Sequence, residues 1–210
     1  MALPPLATVA ELEAAMQREP GSLSVSSAEL ALRRASARVR NYTRQAITFV
    51  ANDTVDLAGG DRVLVLPQRP LVVDASHPLT VVELGDFAGI DELAVEGRDF
   101  TRLGNELTRG YPYYAPTRLM GWPWPQRGVW APRVRVTYSH GEAETPDDVL
   151  DIVLDLASLN MTNPGNLRSV AIDDYSRTFA SETIGNARLT AAHKADLRSY
   201  RRPALSVTPR

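Results

Sequence analysis

Between Asp147 and Met161 the chain carries a helix-length segment that is apolar almost all the way round. Val149, Ile152, Val153 and Leu156 form one stripe at helical spacing. Leu150, Leu154, Ala157 and Met161 form a second, and only Asp151 and Asp155 break the ring. A helix apolar on both flanks is satisfied only by burial on both sides, so it is expected at the centre of a helical core. Its start reads as Thr145 at the N-cap, Pro146 at the first helical position, and Asp147 and Asp148 against the positive end of the dipole. Asn163-Pro164-Gly165-Asn166 ends it.

Such a helix needs partners, and the N-terminal region supplies them. Ala28, Ala31, Leu32, Ala35, Val39, Tyr42 and Ala46 share one helical face, and Ser26 with Glu29 reads as a capping box. Arg33, Arg40 and Arg44 fall on the opposite side. A shorter helix precedes it, opened by the Thr8/Glu11 capping box and stopped at Glu19-Pro20-Gly21. From Ile47 the period changes to two. Ile47–Val50, Asp61–Pro67, Leu71–Val73 and Thr80–Leu84 are β-rich. Arg133-Val-Arg-Val-Thr-Tyr138 alternates cleanly, with valines on one face and the arginines and Thr137 on the other. Arg168 to Ser181 reads as extended or irregular, and a last helix is expected from about Thr190 to Tyr200, closed by Pro203. The expected fold class is α+β: a small helical bundle core with an inserted antiparallel β-rich region and an extended C-terminal arm. The boundaries are 1–46 and 141–202 for the helical core, 47–140 for the insertion and 203–210 for the arm.

One stretch fits neither period. Residues 109–130 hold six of the 14 aromatics, every tryptophan and four prolines. Proline at that density excludes a helix or a central strand, and aromatics at that density are unlike an inert solvated loop. Tyr111, Tyr113, Tyr114, Trp122, Trp124 and Trp130 are therefore candidate contacts to another subunit or a further protein, because Tyr and Trp anchor interfaces. At the other end of the chain, Ala204 to Thr208 alternates small or polar with apolar residues, as an added strand or strap does. Arg201, Arg202, Leu205, Val207 and Arg210 are the candidate contacts there.

Composition narrows the chemistry. The 210 residues contain no cysteine, which excludes disulfides, a thiol nucleophile and cysteine-ligated metals. The formal charge of −2 is unlike that of a sequence-independent nucleic-acid binder. No apolar run reaches the roughly 20 residues that span a bilayer, and Met1 to Leu12 does not read as a signal peptide. The expectation is a soluble protein made in a reducing cytoplasm, with no membrane partner. No phosphate loop, dinucleotide fingerprint or nucleophile elbow is present. His77, His140 and His193 are scattered. Asp151 and Asp155 read as the solvated stripe of a buried helix, Asp173-Asp174 as a turn, and Glu142, Glu144, Asp147 and Asp148 as an acidic patch without calcium spacing. No catalytic, cofactor-binding or metal residue is assigned.

The order of elements carries a resemblance. An arginine-bearing helix with an alanine-rich inner face (Ala31 to Arg44) is followed by a β insertion ending in Val134-Arg-Val-Thr-Tyr-Ser-His-Gly141. A Thr145-Pro-Asp-Asp148 start opens the apolar helix, then come Asp174-Tyr-Ser176 and a terminal Leu197-Arg-Ser-Tyr-Arg-Arg202. This resembles the head-to-tail adaptor (head–tail connector) proteins of long-tailed bacteriophages, over the N-terminal helices and nearly everything after Arg133; residues 85–130 lie outside it. The resemblance implies a structural virion protein of the neck rather than an enzyme, needing no cofactor. It implies a ring, usually of twelve copies, beneath the portal protein, extending the DNA channel toward a tail-side stopper or tail terminator. Double-stranded DNA would pass through without sequence-specific binding, and the C-terminal arm would dock on the portal. The place implied is the virion neck, with the host cytoplasm during assembly. Two other classes stay open on the residues alone: a small hydrolase or lyase using scattered Asp, Glu and His, and a DNA-binding regulator using the Arg33–Arg44 helix.

Overall fold

The computed structural model describes residues 3–85, 89–110, 128–163, 169–172, 175–178 and 188–201. The architecture is mixed α+β, with four helices and antiparallel sheets among the described residues. The chain divides into two compact units, one built from residues 1–46 and 144–210 and the other from 47–143.

The helical unit contains α1 (Val9–Ala15), α2 (Val25–Thr43), α3 (Asp147–Thr162) and α4 (Ala191–Asp196), with the antiparallel pair β9 (Ser169–Ile172) and β10 (Tyr175–Thr178). The Thr8 capping box forms as expected: Thr8 Oγ1 accepts from the Glu11 amide, and the Glu11 carboxylate accepts from the Thr8 amide. Glu13 is buried. Its carboxylate accepts the Gly21 and Leu23 amides, which hold it below the usual carboxylate range and tie down the connection to α2. Ser36 fixes the N-terminal segment by accepting the Leu6 amide while donating to the Leu32 carbonyl. Ala28, Ala31, Leu32, Ala35 and Val39 of α2 are buried, as are Val149, Ile152, Val153, Leu156 and Ala157 of α3, and the two helices pack on one another. Asp151 and Asp155 are exposed. The second expected stripe of α3 is less covered: Leu150, Leu154 and Met161 are half-buried.

Two helix starts differ from the expectations. The cap of α2 is Ser24, not Ser26, and it makes no side-chain bond to the helix; its Oγ lies 3.2 Å from Ser26 Oγ, so the two hydroxyls serve each other. The cap of α3 is Pro146 rather than Thr145, and Asp148 Oδ1 accepts the Val149 amide in the first turn. At the other end of α2, Arg40 Nε donates to the Ala46 carbonyl at 2.9 Å, beyond the left-handed Arg44 that ends the helix.

The described residues of the β unit form two sheets. The first runs β1 (Val50–Ala58), β8 (Arg133–His140), β4 (Thr80–Glu83), β5 (Glu92–Ala94), with β3 (Leu71–Val72) also pairing with β8. The second runs β2 (Val63–Val65), β7 (Glu106–Arg109), β6 (Phe100–Leu103). The period-two reading of β8 holds: Val134, Val136 and Tyr138 are buried, Arg133 and Arg135 exposed. Those inner residues join Val81 and Ala94 of the first sheet with Leu64, Leu66, Phe100 and Leu107 of the second, and Trp130, in one core. Gly59 and Gly141 permit close backbone approach: a Cβ at Gly59 would overlap the Ala131 carbonyl, and one at Gly141 (φ +95°) would overlap that of Thr48.

Candidate functional site

The aromatic, proline-rich segment emerges from a base that the structure defines closely. Trp130 is 1% exposed and lies in the core of the β unit, against Phe100 at 5.6 Å between ring centroids. Its indole Nε1 donates to the Leu107 carbonyl at 3.1 Å. The Arg109 guanidinium sits 5.4 Å over its ring. Arg109 in turn donates Nη2 to Glu83 Oε2 at 2.9 Å and Nη1 to the Asp99 carbonyl at 2.6 Å. The other Glu83 oxygen accepts the Ala131 amide at 2.9 Å. One buried cluster therefore joins β4, β7 and the residues on either side of 111–127. Backbone bonds from Arg109 to Arg62 and from Trp130 to Asp61 close the same base.

This corrects the expectation for Trp130. A side chain packed into the core of the β unit is not a surface contact, although it adjoins the aromatic segment in sequence. Tyr111, Tyr113, Tyr114, Trp122 and Trp124 lie outside the described residues. A signal for the cluster exists in the sequence. Glu83 occupies the same strand face as Val81, so a carboxylate falls at an inward register position and needs a buried partner.

Of the C-terminal candidates, Arg201 is described and exposed, with its guanidinium 5.5 Å over the Tyr42 ring. Tyr42 also donates to the Lys194 carbonyl, and Tyr200 donates to Asp148 Oδ1 at 2.8 Å, so the last described turn is tied to α2 and α3. Leu197 is its buried anchor. Arg202, Leu205, Val207 and Arg210, like Asp173 and Asp174, lie outside the described residues.

The histidines stay separate. His77 closes a turn on Asp74 and meets Phe49 edge-on. His140 is buried beside Tyr138, its Nε2 3.2 Å from Asp53 Oδ2; burial pushes the ring below its ordinary value, and Asp53 opposes this only in part. His193 Nε2 lies 3.5 Å from Asp155 Oδ2. That pair lines a recess of about 500 Å³ in the helical unit, with Asp148, Asp151, Ser158 and Asp196. No local sequence pattern marks the recess, because His193 and Asp155 are distant in sequence. Among the described residues no group of three or more His, Cys, Asp or Glu is arranged to hold a metal ion. No described helix is long and apolar enough to cross a membrane.

No protein-family model matches this chain, and comparison with curated proteins gives no match.

Proposed function

We propose that this chain is a structural protein of a phage neck: it forms a ring below the portal, continues the DNA channel, and joins the head to tail-side proteins without a reaction of its own. One observation carries the reading. The N-terminal and C-terminal segments of the chain build a helical unit around a buried central helix, and a β unit is inserted between them in sequence. That is the organisation expected of the adaptor proteins whose element order the sequence resembles. The clamped stem adds support, because it brings both ends of a 17-residue aromatic segment to one fixed base, as an anchored interface loop requires. The C-terminal residues beyond Tyr200 are the proposed portal strap.

The test is native mass measurement of the purified chain, alone and after mixing with portal rings. The reading requires a monomer alone and a closed ring of copies on the portal, lost on truncation after Tyr200. A dimer whose DNA affinity falls steeply with salt would instead identify a regulator.

A further inference from the structure

The helical unit carries two exposed surfaces of opposite charge. On α2, Arg34 and Arg38 stand four residues apart on one flank, where like charges destabilise a helix. Arg188 adds a third charge near them. Arg38 is held below its usual value by burial first, then by Arg34 and Arg188. Arg34 and Arg188 are exposed and make no ion pair among the described residues. The second surface is the recess on α3 and α4, a concave site with four carboxylates: Asp148, Asp151, Asp155 and Asp196. All four are exposed, and Asp155 keeps 67% of its side-chain surface open.

The two surfaces use different residues, and this decides the kind of contact they can make. A two-fold dimer would need the arginine row and the recess of each copy to meet its partner at the same time, whereas a head-to-tail contact needs only one surface from each copy. Joining the arginine row of one copy to the recess of the next leaves one free surface of each sign at either end. Such a heterologous contact propagates into a ring when its rotation closes. Guanidinium groups also match carboxylates in planar, paired hydrogen bonds.

We propose that Arg34 and Arg188 of one copy dock in the Asp148–Asp151–Asp155–Asp196 recess of a second copy, forming the lateral contact between neighbours. The inference rests on the ring reading and names the surfaces that would make the ring.

Because the chain has no cysteine, disulfide trapping tests it directly. Ala37→Cys lies beside the arginine row and Ser158→Cys lines the recess; both leave every charge in place. On portal rings at low ionic strength, oxidation of the double variant is expected to give a ladder of trimers and larger species, while each single variant gives monomers. Salt on the order of 0.5 M is expected to abolish the ladder. So is Asp151→Arg with Asp155→Arg, and adding Arg34→Glu with Arg188→Glu is expected to restore it. No ladder, dimers from either single variant, or a ladder indifferent to salt and charge reversal would overturn the contact. On portal rings, a ring formed equally well by the Asp151→Arg/Asp155→Arg variant would overturn this contact and leave the ring reading standing. No ring from the unaltered chain would overturn the reading itself.

Discussion

Removing the Glu83 charge tests the buried stem beneath the aromatic segment. The side chains of Glu83 and Arg109 are 1% and 6% exposed, and their charged atoms are 2.9 Å apart. At an effective dielectric constant near 20, that separation corresponds to about 6 kcal/mol of attraction, set against the cost of desolvating both ions. Glu83→Gln keeps the shape and removes one charge. Arg109 would then rely on the Asp99 carbonyl and on a carboxylate 3.8 Å away, so a loss of roughly 3–5 kcal/mol is expected. Replacing both partners, Glu83→Leu with Arg109→Met, removes the uncompensated charge. The Ala131 amide still loses its acceptor, at roughly 1–3 kcal/mol. The double variant is therefore expected to be more stable than Glu83→Gln alone. Urea unfolding followed by circular dichroism reads both. A Glu83→Gln loss below about 1 kcal/mol, or a double variant less stable than Glu83→Gln, would refute this account of the stem.

Leu156→Ala is expected to cost roughly 2–5 kcal/mol in the same assay, because Leu156 is fully buried at the centre of α3; an unchanged midpoint would remove that helix from the core. Trp130→Ala is expected to cost roughly 3–5 kcal/mol, whereas Trp122→Ala with Trp124→Ala is expected to spare the monomer's melting temperature and prevent assembly. His140 gives a pH signature. Its folded value lies below the ordinary one, so its contribution is complete above about pH 6.5 and is lost as pH falls through the lowered value. Melting temperature measured from pH 8 to pH 5 is expected to fall less steeply in His140→Phe than in the unaltered chain; equal slopes would contradict this.

Much of the fold was legible where one periodicity ran long enough. The α3 stripes, the α2 face and the β8 alternation all rest on side chains whose burial follows their spacing. Short strands were harder. The β6–β7 hairpin turns on Gly104-Asn105, a two-residue signal between runs of four residues that are too brief to show a period. In β1 the pattern is broken by Asn52 at φ +51° and a register shift between Val50 and Asp53, so its two ends do not read as one strand. Helix starts failed at Ser26 and Thr145, because a neighbouring residue took over the cap. The site was less legible than the fold. Trp130 has the same composition signal as Trp122 and Trp124, and only its packing identifies it as a core anchor. The Asp155–His193 pair depends on α4 reaching α3, which no local pattern encodes.

The central claim concerns assembly, and the composition of purified virions tests it most directly. On the proposed reading the chain is encoded by a phage, and quantitative mass spectrometry of that phage's particles is expected to find about twelve copies for each portal ring, the number the resemblance implies. Particles lacking the gene are expected to be DNA-filled heads without tails. Intact, tailed particles that contain no copy of the chain would contradict the account.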